Sequence, residues 1–208
     1  LTNAAVFRTG KIDDLLGARC KSMVEFKAAY VTHWDMPTKT MFPEIIFHGE
    51  RGTPQGMGQF TPYPNGHFQL HGMTKEITLY DDGLVENSLV SCQPHLGQEF
   101  MEKIEKRWSD EETKERTNAA IKHLSQYIPA FKDATVASKP LFGAQQIPGD
   151  DPTLRVAEVS FPREHYARCE IVKVSSVLDI IDDIAKEFVT LGYIKKENIG
   201  KRTFTHIY

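Results

Sequence analysis

The densest set of chemically capable side chains lies between residues 48 and 71. His67, Gln69 and His71 alternate, and alternate residues of a strand share a face. His48 and Arg51 sit upstream of them, close enough in sequence to join the same face. A guanidinium placed there can grip a carboxylate through two parallel N–H donors. Tyr30, Tyr63 and Tyr166 could add hydroxyl donors. The solvated face of an antiparallel sheet gives the same polar pattern, and aromatic strand residues commonly serve packing. Metal chemistry does not fit: His67 and His71, four residues apart on a strand, are separated by roughly 13 Å. The three cysteines, Cys20, Cys92 and Cys169, are widely spaced and odd in number. They read as reduced thiols of a cytoplasmic protein rather than as a ligand set or a disulfide framework.

Composition narrows the class. The chain has 208 residues, enough for one domain or two small ones. It is 40% hydrophobic and 25% charged, with a formal net charge of −3. That balance lacks the basic excess of a nucleic-acid binder. No apolar run approaches the roughly 18 residues that span a bilayer, and no signal-peptide series is present.

Residues 23–33 alternate as a strand, with Val24, Phe26, Ala28 and Tyr30 on one face. Residues 44–48 form a second short strand. Glycines and a proline crowd residues 49–58, which suits a mobile loop. Asn65 and Gly66 then mark a hairpin, since both tolerate positive φ. Its second strand points Phe68 and Leu70 to a core. EITLY, residues 76–80, reads as a further strand. Phe100, Ile104 and Trp108 recur at helical spacing, and Ser109 with Glu112 matches a capping box opening a helix with Ile121, Leu124 and Ile128 inside. Proline and glycine between 132 and 153 mark the expected domain boundary. Strands at 154–161 and 166–174 follow, with the charged run 163–168 as a solvated corner. Ser175 or Ser176 caps a last helix whose stripe is Val177, Ile180, Ile181, Ile184 and Phe188. The order is that of an α+β protein.

The opening run, Thr2-Asn3-Ala4-Ala5 followed by a segment ending in Leu15 and Leu16, resembles a motif of flavoprotein oxidases of the D-amino-acid oxidase and sarcosine oxidase type. In that family the motif closes the first pass through the flavin domain. FPEIIFHGERG, GQFTPYPNGHFQLHGMTK, SQYIPAF, KPLFGAQQIPGDDPTLRVAEVSF and VKVSSVLDIIDDIA resemble later family motifs in the same order. The chain departs from the pattern at Val6, where the family has glycine. It departs again after Phe161, where a glycine-rich loop is replaced by PREHYARCEIV.

The resemblance implies three segments: 1–17 ending a flavin-domain pass, 18–135 a substrate-binding domain of antiparallel sheet with flanking helices, and 136–208 a C-terminal strand–strand–helix return to the flavin domain. It implies FAD as cofactor and oxidation of the C–N bond of a small amino acid or amine. The fingerprint that seats the FAD pyrophosphate would lie in a flavin-binding segment upstream of Leu1. By the same resemblance Lys173 is the catalytic residue, near flavin and the substrate carboxylate. Gly143, Phe161, Lys173, Ser175 and Ser176 would line the cofactor. Arg51, His48, His67, Gln69 and Tyr63 would line the substrate. A non-catalytic ligand-binding protein and the substrate domain of a flavin-dependent aromatic hydroxylase are alternatives with a similar sheet.

Overall fold

The computed structural model describes residues 1–35, 43–106, 108–154, 158–170 and 177–200. The chain divides into two compact units. One comprises Leu1–Ser22, Asn87–Gln93 and Gln146–Tyr208; the other comprises Met23–Glu86 and Pro94–Gln145. The architecture is α+β, as the element order implies.

The second unit is built on one long strand. β2 (Ser22–His33) pairs antiparallel with β5 (His67–Gly72), β6 (Leu84–Glu86) and β7 (Thr135–Val136), and also pairs with β8 (Leu141–Pro148). β5 continues the sheet to β4 (Gly58–Pro62), and β4 to β3 (Ile45–Phe47). The hairpin between β4 and β5 turns at Asn65 and Gly66, with φ of 62° and 72°, and Tyr63 N–H closes it on the His67 carbonyl at 2.8 Å. Phe26, Ala28 and Tyr30 of β2 join Phe60, Phe68 and Leu70 in the core. Phe60 and Phe68 stack at 4.6 Å, and Phe131 meets Phe60 edge-on at 4.9 Å, the geometry that ring quadrupoles favour.

Two helices complete this unit, α2 (Gln98–Lys106) and α3 (Asp110–Leu124). Ser109 Oγ accepts the Glu112 N–H at 3.1 Å, so the cap forms where the sequence places it. The Glu112 carboxylate turns instead to Lys103 and Arg116. Trp108 lies beyond α2 yet remains in the core. α3 lies close on β4 because Gly58 has no side chain: a Cβ there would meet Leu124 at 2.9 Å.

One expectation fails in this unit. Residues 76–80 form no strand; the Thr74 carbonyl gathers the N–H groups of Ile77, Thr78 and Leu79 into a turn. Tyr30 Oη and an Arg116 guanidinium nitrogen then bind the Ile77 carbonyl, which a strand would have needed for a ladder. Residues 132–153, read as the domain boundary, contain the division between the two units, at Gln145 and Gln146; they also hold β7 and the eight-residue β8, which pairs with β2 despite its glycine and its terminal proline.

In the first unit, β1 (Thr2–Asn3) lies parallel to β10 (Tyr166–Glu170), which pairs antiparallel with β9 (Glu158–Arg163). Residues 155–157 and 171–176, parts of the two strands expected here, lie outside the described residues. α1 (Thr9–Leu16) follows β1. Asp13, on α1, is completely buried; it accepts from Tyr166 Oη at 2.6 Å and faces Arg168 Nη1 at 3.4 Å. Tyr166 Oη also accepts from Asn3 Nδ2 at 2.7 Å, so one hydroxyl links β1, α1 and β10. Arg168 therefore belongs to a buried network with Asp13, Glu170 and Ser160 and not to a solvated corner. Burial opposes its charge, but Glu170 and Asp13 more than offset this and raise its pKa. On α4 (Val177–Thr190) only Ile180 is buried; Val177, Ile181 and Phe188 of the expected stripe are 40–53% exposed.

Two non-glycine residues of the first unit adopt the left-handed backbone that glycine favours. Val6 has φ 53°, and His165, in the Glu164–His165 turn joining β9 to β10, has φ 60°. A β-branched residue is strained in that region by about 1–2 kcal/mol, and Val6 is 47% exposed, so its side chain regains little by burial. Val6→Gly is therefore expected to stabilise the protein by ~0.5–1 kcal/mol after the greater unfolded-state entropy of glycine is counted. Urea unfolding reads this as a raised midpoint; a fall of that size would mean the backbone at Val6 carries no strain.

Candidate functional site

The face of β2 opposite the aromatic core carries Glu25 and Lys27, in the middle of an otherwise apolar strand. Glu25 is 2% exposed. An ionised carboxylate so far from water needs partners, because the desolvation cost is several kcal/mol. Lys27 Nζ lies 3.3 Å from one oxygen, and Arg51 Nη2 pairs with the other. Arg51 Nη1 also reaches Met73 Sδ at 3.5 Å.

Arg51 is held in place by its loop. Gly52 N–H donates to the Met73 carbonyl at 2.8 Å, Met73 N–H donates to the Met57 carbonyl at 2.8 Å, and Gly56 N–H returns to Thr53 at 2.9 Å. His123 of α3, through Nε2, hydrogen-bonds the Gly56 carbonyl at 3.1 Å. Gly49, Gly56 and Gly58 serve close packing, as a Cβ on Gly56 would lie 2.4 Å from the Met73 carbonyl oxygen, whereas Gly52 supplies a φ of 81°. The stretch that composition marks as mobile is a pinned platform.

The other residues expected to line a substrate fall into separate groups along the same sheet. Tyr63 Oη donates to Gln69 Oε1 at 2.9 Å. Beside them, Glu44 accepts from Gln59 at 2.7 Å and Thr61 at 2.8 Å, and these two bonds hold its carboxyl below the usual range. His67 stands opposite His33 in the β2–β5 register, with ring centroids 5.2 Å apart. His71 hydrogen-bonds the Ala28 carbonyl through Nδ1 at 3.0 Å. His48 is exposed just past β3. Met73 follows the C-terminal end of β5 and His67 begins it, so Arg51 and His67 mark ends of the sheet face about 20 Å apart by strand rise. The structure thus brings Tyr63 to Gln69 and Arg51 to Glu25, but it does not gather the whole set around one point. Tyr30 and Tyr166 are committed to buried hydrogen bonds, and burial pushes both phenols up, Tyr30 to about 12.

Glu25, Lys27 and His33 are the members of this face that motif reading passes over. The signal for Glu25 is visible in the sequence: one acid inside MVEFKAAY, a run apolar enough to be buried on both faces.

Of the residues expected to line the cofactor, Lys173, Ser175 and Ser176 lie outside the described residues. Gly143 is half-buried in β8, and a Cβ added to it would meet nothing within 4 Å, so no close backbone approach is reserved there. Phe161 edges a cavity of about 340 Å³ in the first unit, lined also by Tyr166, Phe188, Leu191 and Tyr193. That volume is at the small end for a ligand site. The described residues therefore do not by themselves build a flavin cradle. Among them, no group of three or more His, Cys, Asp or Glu residues could hold a metal, and no helix is long and apolar enough to cross a membrane. No family model matches the chain, and neither the curated proteins nor the solved structures provide a match.

The Arg51–Glu25 pair can be measured. Arg51→Met should cost ~2–4 kcal/mol by leaving a buried carboxylate short of a partner. Glu25→Gln added to it should recover part of that loss, giving a coupling energy of about 1–3 kcal/mol in a double-mutant cycle read by urea unfolding. Additive losses would mean that Arg51 does not hold Glu25.

Proposed function

We propose that this chain is the substrate-domain and C-terminal portion of an FAD-dependent oxidoreductase of the D-amino-acid oxidase and sarcosine oxidase type. It would act on the C–N bond of a small amino acid or amine. One observation carries the reading. The opening run, which resembles the end of a flavin-domain pass, pairs as β1 in parallel with β10 from the C-terminal segment. Both segments fall in one compact unit, while the intervening antiparallel sheet forms another. A chain that leaves a flavin domain, builds a substrate domain and returns has this organisation. The left-handed backbone at Val6, where the family has glycine, supports the same reading.

FAD, when bound, would supply the redox chemistry. The part of this chain is to orient the substrate and to exclude water. Arg51 is the cation that the sheet presents on a rigid loop. Its pairing with Glu25 fixes the guanidinium, the group suited to meet a substrate carboxylate. Lys173 is the second proposed anchor, from its place in Val172-Lys173-Val174-Ser175-Ser176. The dispersal of Arg51, Gln69 and His67 along the sheet favours one other reading, ligand binding without catalysis.

The test is steady-state turnover of N-methyl and D-amino acids by the natural protein that contains this chain. Lys173→Met should lower turnover roughly 30- to 1,000-fold, the loss of one charge-assisted contact of about 2–4 kcal/mol in a dry site. Its melting temperature should stay near that of the parent. Unchanged turnover would remove Lys173 from the reaction, and a parent protein that oxidises none of these substrates would favour the binding reading.

A further inference from the structure

Within the first unit, the segments at 18–22 and 87–93 are bound side by side. Asn87 N–H donates to the Ser22 carbonyl at 3.0 Å, and Ser22 N–H returns to Asn87 Oδ1 at 2.9 Å. Asn87 Nδ2 donates both to the Cys20 carbonyl at 3.1 Å and to the Ser91 carbonyl at 2.9 Å. Ser22 Oγ donates to the Cys92 carbonyl at 3.0 Å. From the other side α1 packs flush on the same segment, since a Cβ on Gly10 would lie 2.3 Å from the Cys92 oxygen. This clamp sets Cys20 N–H 3.4 Å from Cys92 Sγ, with the Cys20 thiol 3.6 Å from Asp13 Oδ2 and the Cys92 thiol 3.4 Å from the Ala18 carbonyl. Cys20 is part-exposed, whereas Cys92 is 1% exposed.

We propose that Cys20 and Cys92 are an oxidative modification site that closes to an intramolecular disulfide, with Cys20 meeting the oxidant and Cys92 resolving it. The oxidant is a low-molecular-weight disulfide. The Cys20 thiolate attacks one of its sulfurs, forming a mixed disulfide and expelling one small thiolate. The Cys92 thiolate then attacks Cys20 Sγ, forming the protein disulfide and expelling the second. The two protons of the protein thiols end on the two small thiols, and the two electrons released by the cysteines reduce the small disulfide. The product cross-links positions 72 residues apart, on either side of Met23–Glu86 in the sequence.

The surroundings make this a slow latch. Burial pushes the Cys20 thiol up to about 12; Arg168 of β10 opposes that, while Asp13 of α1 and the Cys92 thiol add to it. Only a small thiolate fraction exists near neutral pH, so the rate rises about tenfold per pH unit through the mildly alkaline range.

The experiment is incubation of the protein with excess oxidised glutathione over a pH series, followed by non-reducing peptide mapping and thiol counting in denaturant. The expected product is a Cys20–Cys92 cross-linked peptide with two of the three thiols lost. Its melting temperature should be about 4–10 °C higher. Cys92→Ser should stop at a mixed disulfide on Cys20. The parent protein's map decides the matter even if that variant fails to fold. Retention of all three thiols at alkaline pH, or a parent that accumulates glutathione on Cys20 without closing, would overturn the proposal.

Discussion

A carboxylate buried in the middle of a strand constrains the larger unit. β2 has to bury both faces: Phe26, Ala28 and Tyr30 build the aromatic core on one, and Glu25 is shut from water on the other. The second burial is tolerable only if cations come to the acid. Lys27 comes from the same strand two residues on, where strand geometry places it on the same face. Arg51 has to come from a loop, and a loop supplies a fixed cation only if its own backbone is fixed. That requirement explains the otherwise excessive bonding of residues 49–58 to Met73 and His123. The pinned guanidinium of Arg51 is thus a consequence of the acid beneath it.

The smaller unit repeats the principle with different parts. Asp13 on α1 is as deeply buried as Glu25, and its partners are Tyr166 and Arg168 of β10. Because Tyr166 also accepts from Asn3, the two-residue strand β1 is held by more than its short ladder. In both units a buried acid selects which segments must be adjacent, and apolar packing then fills the space around it.

What could be read from sequence was what local chemistry decides. Asn65 and Gly66 turn the hairpin because both accept positive φ, and Ser109 caps α3 because its oxygen reaches the N–H three residues on. What escaped was decided at a distance. Residues 76–80 have the composition of a strand, but Tyr30 and Arg116, far away in sequence, take the carbonyl that a ladder would need. β8 carries Gly143 and ends at Pro148, which signal a break until β2 is there to pair with it. Arg168 looks like a surface charge until Asp13 arrives from the start of the chain. For the site, the alternation of His67, Gln69 and His71 was legible, and so was their shared face. Their separation from Arg51 was not, because it depends on which end of β5 the 49–58 loop is pinned to.

The central claim is that this chain serves a flavin enzyme, and its most direct test is spectroscopic. The natural protein containing the chain is purified and examined for flavin, then titrated anaerobically with N-methyl and D-amino acids. The account predicts a bound FAD whose visible absorbance bleaches when one of these substrates is added. A protein that is isolated without flavin and takes up none from an excess of FAD would contradict it.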